Sequence, residues 1–181
     1  MLVQRLIDIL AADPARWRAL ETVSTLSHQY WIGAGFVRNA VWAALHGIQS
    51  PIEDADIDVV HFSPEAGAAC DSTIEARLRL DAPDCRWSVK NQALMAARNG
   101  DPPYRSLEDA LSHWPETATA VAARLDRGEL SLCAPYGLAD LFDLILRPTP
   151  NFRGAKTAIF QRRLKEKRWL TLWPRLRACD A

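Results

Sequence analysis

No two of the four cysteines, Cys70, Cys85, Cys133 and Cys179, stand close together in this 181-residue sequence. The spacing offers neither the paired ligands of a zinc site nor a redox dithiol, and it suits free thiols in a reducing compartment. The four histidines, His28, His46, His61 and His113, share no metal-ligand spacing. No apolar run reaches membrane-spanning length. The first residues lack a basic region followed by an apolar run, so no secretory signal is expected. No Gly-x-Ser-x-Gly element or Cys/His pair argues for acyl transfer, and no internal repeat or low-complexity segment is evident. These absences lead to the expectation of a soluble, cytoplasmic protein.

Net charge is absent too. Lys and Arg number 22, as do Asp and Glu, which argues against a general nucleic-acid coat. The balance is uneven: residues 1–150 hold 13 basic and 20 acidic side chains, residues 151–181 hold 9 and 2. With 49% hydrophobic residues the chain can build a real core. The expected organisation is a domain over 1–150 and a basic helical extension over 151–181 packed on it, one domain overall.

The most informative stretch runs from Tyr30 to Phe62. Tyr30-Trp31-Ile32 is aromatic and β-branched, as strands prefer. Gly33-Ala34-Gly35 follows, with glycines that permit unusual backbone angles and close approach of a ligand. From Phe36, apolar residues Phe36, Val37, Ala40, Val41, Ala44 and Leu45 recur at helical spacing up to Gly47. The bend would therefore sit at a helix N-terminus, where free N–H groups and the dipole attract an anion. Arg38 in the first turn adds a donor suited to phosphate. Plain punctuation of the fold accounts for the same glycines.

At the other end, Ile57, Val59 and His61 alternate with Asp56, Asp58 and Val60, a strand pattern that points Asp56 and Asp58 from one face. Two neighbouring carboxylates repel, and a divalent cation relieves both. Hard oxygen ligands suit Mg²⁺, which keeps positions open for water and substrate phosphate. An edge strand with a solvated acidic face, approached through an acidic loop at Glu53 and Asp54, is the plainer alternative. His61 points away from the acids and reads as a packed or surface residue.

Elsewhere, helices are expected over 2–11 and from Asp13-Pro14, which supplies an N-cap and a first helical position. Another is expected over roughly 64–80, then a turn, then a strand over 85–90. Asn91-Gln92 should begin a helix that stops at Asn99-Gly100, and Ser106 should cap a short helix. Residues 117–125 are read as the first arm of a β-hairpin, turning at Asp126-Arg127-Gly128. Leu138, Leu141, Phe142, Ile145 and Leu146 form one helical stripe. In the tail, helical spacing turns Ile159, Phe160, Leu164, Trp169, Leu172 and Trp173 inward. Its interleaved bases, among them Arg162, Arg163, Lys165 and Lys167, suit RNA or DNA contact, a solvated helix face, or delivery of positive charge to a triphosphate.

The Gly-Ala-Gly bend followed by Asp56-Ile57-Asp58-Val59 resembles the nucleotidyltransferase signature of the DNA polymerase β-like superfamily. Together with Trp87–Ala93 and Ala134–Phe142, it resembles a bacterial family once listed as a domain of unknown function and later grouped as nucleotidyltransferase-like. The 20 residues between Gly35 and Asp56 exceed the superfamily's usual separation, a difference a longer helix or loop absorbs. The resemblance implies an α/β fold with a small mixed β-sheet flanked by helices. It implies a metal-dependent transfer of a nucleoside monophosphate from a nucleoside triphosphate to an acceptor hydroxyl, with Mg²⁺ or Mn²⁺ held by Asp56 and Asp58. Gly33, Ala34, Gly35, Arg38 and Asn39 would hold phosphates, and Lys90 and Asn91 would contact substrate. Superfamily enzymes usually add a third carboxylate from a neighbouring strand. Its expected place is near Ser88, which is not an acid. A catalytically silent nucleotide-binding module and a nucleic-acid-binding protein using the basic tail stand as rival expectations.

Overall fold

The computed structural model describes residues 1–27, 29–52 and 55–179. His28, Glu53 and Asp54, named above, lie outside the described residues. Helix α1 (Leu2–Ala11) buries Leu6 and Leu10 completely. Asp13 caps α2 (Pro14–Ser24), its carboxylate accepting from the Ala15 and Arg16 N–H groups at 3.1 and 3.0 Å. Strand β1 (Trp31–Gly33) leads into α3 (Gly35–His46), which Gly47 ends in the left-handed conformation at φ 66°. Strand β2 spans Ile57–His61.

Helix α4 (Ala68–Asp81) starts later than its sequence pattern suggests. The reason is Asn91. Its side chain accepts from the Ser63 N–H at 3.1 Å and donates to the Ser63 and Ala66 carbonyls at 2.7 and 3.2 Å, pinning the chain in a turn before the helix. Strand β3 (Trp87–Asn91) follows, then a 3₁₀ turn and α5 (Met95–Asn99), ended by Gly100. Ser106 caps α6 (Leu107–Ser112).

The hairpin is present as β4 (Ala122–Asp126) and β5 (Glu129–Cys133). Arg127 and Gly128, at φ 51° and 83°, make the turn its twist favours. The first arm starts at Ala122 and not at residue 117 as expected. The Thr119 and Ala120 N–H groups both bond to the Glu116 carbonyl at 3.0 Å, which curls that segment into a turn.

The expected stripe from Leu138 to Leu146 breaks. Helix α7 (Ala139–Phe142) makes one turn, Leu144 takes φ 59°, and Ile145–Leu146 becomes strand β6. The tail carries α8 (Thr157–Lys167), a reversal at Arg168 with φ 51°, α9 (Trp169–Leu172) and strand β7 (Arg177–Ala178), which runs parallel to β6. The break at Arg168 changes the helical register. Phe160, Trp169 and Trp173 are buried as expected; Leu172, past the break, is 57% exposed, and Ile159, ahead of it on α8, is 38% exposed.

Among the described residues the main sheet has five strands in the order β3-β2-β1-β4-β5, with β2 and β3 parallel and the other neighbours antiparallel. One face, with Ile32, Ile57, Val59, Trp87, Val89 and Ala123, joins the core formed with helices α1 to α4. The other face carries Trp31, Val60 and Ala122 against Leu111 and Trp114. The exposed edge of β3 is covered by side chains: Glu75 and Asp71 of α4 accept from the Val89 and Asn91 N–H groups at 3.1 and 2.9 Å. Such cover removes unpaired strand donors. Asp71 also bonds to the fully buried His61 at 2.9 Å, so His61 is a packed residue. No helix among the described residues is long and apolar enough to cross a membrane.

Candidate active site

The bend after β1 is held at both ends. Ala34 N–H donates to the Val121 carbonyl at 3.1 Å, and the Arg38 N–H donates to the Ala34 carbonyl at 3.0 Å. Ala34 itself takes φ 52° and ψ −122°. That conformation is costly for a residue with a side chain, and such strain concentrates at functional sites. Residue type points to the glycines for an unusual backbone angle, yet Ala34 is the residue that adopts it. Gly33 is needed for space instead. A Cβ there would lie 3.0 Å from Cη2 of Trp114 and 3.3 Å from the Val121 carbonyl oxygen. Helix α3 begins at Gly35, so its first N–H groups face outward without intrahelical acceptors.

Asp58 lies in β2 and Asp56 immediately before it. Both line one cavity of about 310 Å³ together with Ala34, Gly35, Arg38 and Asn39. Asp56 is the outer acid: its side chain is 62% exposed, and its Oδ1 accepts from Arg86 Nε and Nη2 at 3.0 and 2.7 Å. Asp58 is the inner acid. Burial raises its carboxyl pKa, and the negative charge of Asp56 raises it further, against the pull of Arg38, Lys167 and Lys90. This is the pair the strand alternation indicates.

Arg38 is 7% exposed. It donates from Nη1 to Thr119 Oγ1 at 3.0 Å and from Nε and Nη2 to Asn39 Oδ1 at 3.2 and 3.0 Å. Its guanidinium stacks over Trp42 and Trp169, 4.9 and 4.5 Å from the ring centroids. Burial lowers its pKa to about 10, so it stays cationic at neutral pH.

The tail closes the far wall. Arg163 and Lys167, one helical turn apart on α8, line the same cavity with Trp169. Arg163 donates from Nε and Nη2 to Glu116 Oε1 and Oε2 at 2.7 and 3.3 Å, and Glu116 is fully buried. The tail is fixed to α3 by edge contacts of Trp42 with Trp169 and Trp173, both at 5.9 Å. In the sequence these two bases stand out only as members of a basic segment. Their i,i+4 spacing was the signal that would have singled them out. Thr119 gave no signal.

A second chamber of about 210 Å³ shares Ala34, Asp58, Thr119 and Arg163 with the first and adds Val60, Lys90, Gln92, Trp114 and Pro115. Lys90 is therefore brought to the site. Asn91 is not: it is 1% exposed, and its side chain is taken up by Ser63, Ala66 and Ala93. A larger cavity of about 730 Å³, bounded by Met1, Trp31 and Leu132, is mostly apolar and contains neither Asp56 nor Asp58.

Among the described residues no group of three His, Cys, Asp or Glu side chains is placed to hold a metal ion. The two aspartates nonetheless suit one Mg²⁺ whose other positions go to phosphate and water. The raised pKa of Asp58 is the electrostatic frustration that such a cation relieves.

A nucleotidyltransferase family model matches residues 22–178. The chain belongs to that family. An NMR structure reported to reveal a CCA-adding enzyme head domain is 32% identical to this nucleotidyltransferase chain. It superposes with a TM-score of 0.86, over 98% of this chain and 96% of that one. The complex of a CCA-adding enzyme with CTP matches at 15% identity and a TM-score of 0.61. The Thermotoga maritima CCA-adding enzyme complexed with tRNA matches at 16% and 0.60. The present chain spans 43% and 42% of those two longer chains, and at such identities they show the shared fold. No curated protein matches this sequence.

Proposed function

We propose that this nucleotidyltransferase moves a nucleoside monophosphate from a nucleoside triphosphate to an acceptor hydroxyl, with Mg²⁺ or Mn²⁺ held by Asp56 and Asp58. One observation carries the reading. The two acids share a cavity with the N-terminus of α3 and with the three cations Arg38, Arg163 and Lys167. Acids alone would repel a polyphosphate and cations alone would need no acids; their conjunction suits a metal-bound triphosphate.

In this reading the N–H groups at the start of α3 bind the β- and γ-phosphates. Arg38 is held rigid by Thr119, Asn39 and the two indoles, so its charge is already oriented. Arg163 and Lys167 balance the charge that gathers on the leaving pyrophosphate. Asp58 positions the α-phosphate end and Asp56 the solvent side. When bound, the cation neutralises phosphate oxygens and lowers the pKa of the attacking hydroxyl. The acceptor oxygen bonds to the α-phosphorus as the bond to the bridging oxygen breaks. Pyrophosphate leaves, and the acceptor proton passes to water. Such catalysis is mainly positioning and electrostatics.

The test is label transfer from an α-labelled triphosphate in Mg²⁺, with pyrophosphate release, lost in Asp58→Asn. Ser88 favours a second reading, because it puts no charge opposite Asp58. Triphosphate binding without pyrophosphate release across a broad acceptor panel would assign the protein to that silent, nucleotide-sensing class. Salt-dependent RNA binding that survives Asp56→Ala but not charge reversal in the tail would instead make the basic segment the working surface.

A further inference from the structure

The two chambers meet at Asp58 and lie along β2. Asp56 lines the first, Val60 the second, and Asp58 both. From Asp56 to Val60 a strand covers about 13 Å at roughly 3.3 Å per residue. The cations Arg38 and Lys167 are confined to the first chamber, Lys90 and Trp114 to the second. Phosphoryl transfer places the attacking and leaving oxygens roughly in line through the phosphorus. If pyrophosphate leaves toward the cationic chamber, the acceptor must approach from the other side of Asp58. The nucleoside of the donor stays joined to the phosphorus through an ester oxygen out of that line, so it projects sideways.

We infer that the chamber of Lys90, Gln92 and Trp114 is the acceptor subsite, and that it takes a nucleotide-like acceptor: a ring for Trp114 and a phosphate for Lys90. This rests on the nucleotidyl-transfer reading above. The chamber is built for a defined occupant. Trp114 Nε1 donates to Oε1 of Gln92 at 3.2 Å, and Gln92 is 5% exposed, so the indole is held in one orientation. The far edge of the same indole fills the space that a Cβ on Gly33 would enter. The ring therefore joins the acceptor chamber to the phosphate bend. Val60 and Pro115 add apolar walls. Lys90 is exposed and lines this chamber, so its ammonium is open to an anion. The volume of about 210 Å³ suits one ring-sized group and excludes a duplex.

The same chemistry is offered by a free nucleoside 5′-monophosphate and by the end of a single strand, and the experiment separates them. Transfer from α-labelled triphosphate is measured to nucleoside 5′-monophosphates and to short single-stranded RNA with a free 3′-hydroxyl. Triphosphate affinity is measured separately, without acceptor. In Trp114→Ala and Lys90→Glu the acceptor KM should rise about tenfold or more, a larger factor than any change in triphosphate Kd. Lys90→Arg should restore most of the loss. Lys90→Glu is an exposed substitution and tests the idea even where Trp114→Ala does not fold. Weakened triphosphate binding with unchanged acceptor KM would overturn it, since the chamber would then hold the donor's base. Unchanged values for both would overturn it, as would transfer to neither acceptor while triphosphate binding stays sensitive to Asp58→Asn. Triphosphate binding that ignores Asp58→Asn would instead refute the transfer reading itself.

Discussion

Asp58 and Ser88 are direct neighbours in the parallel pairing of β2 and β3. Adjacent strands lie about 4.8 Å apart, so a carboxylate at position 88 would reach the cation that Asp56 and Asp58 are proposed to share. Ser88→Asp should tighten Mn²⁺ binding about tenfold, read by EPR titration of free Mn²⁺. Without metal the new negative charge should lower stability, by about 1 kcal/mol, because like charges on neighbouring strands repel.

Asp58 ionises at a higher pH in the folded protein than in the unfolded chain, because burial and Asp56 disfavour its charge. The fold therefore binds this proton more tightly. Ionisation costs stability as pH rises from the ordinary carboxylate value through the raised one. Metal-free Asp58→Asn should melt above the wild type at neutral pH, and the difference should vanish in acid. Excess Mg²⁺ should raise the Tm of the wild type and leave the variant unmoved. At limiting Mg²⁺, transfer by the wild type should fall as acid protonates Asp58, because the proton and the cation compete for the same carboxylate. Thermal melts across pH, with and without Mg²⁺, check each point.

Lys167 is exposed on α8 and faces Asp58 electrostatically. Lys167→Glu should leave the fold intact and weaken triphosphate binding about tenfold in low salt. The penalty should shrink as ionic strength rises, since exposed charges are screened over about 8–10 Å in physiological salt. Calorimetric titration at two salt concentrations reads both effects.

Trp169 is 4% exposed, and its ring carries the Arg38 guanidinium on one side of the cavity. Trp169→Ala should cost about 3–5 kcal/mol in urea unfolding through the cavity it leaves. Triphosphate binding by the remaining folded protein should also weaken, because Arg38 would lose the stack that orients it.

Much of the site was legible because its chemistry is local in sequence. A strand alternation put Asp56 and Asp58 on one face, and a short apolar run before Gly33 fixed where α3 begins. The rest depended on distant segments. Arg163 and Lys167 reach the acids only because the tail turns at Arg168 and anchors Trp169 and Trp173 on Trp42 of α3. No local pattern encodes that docking. Leu144 offered no warning of its positive φ, so the stripe through Leu146 read as one helix although Ile145–Leu146 pairs with Arg177–Ala178. Asn91 looked like a polar helix start open to substrate. Only the fold shows Ser63 and Ala66 occupying its side chain. Ala34, not a glycine, takes the positive φ, and Gly33 is needed because a tryptophan 81 residues downstream occupies the space beside it.

The most direct measurement is anomalous X-ray scattering from a crystal grown with Mn²⁺ and a non-hydrolysable triphosphate. The account requires a manganese peak between the carboxylates of Asp56 and Asp58, with phosphates reaching the start of α3 beside Arg38. Triphosphate bound elsewhere, or bound at the bend with both carboxylates free of metal, would contradict it.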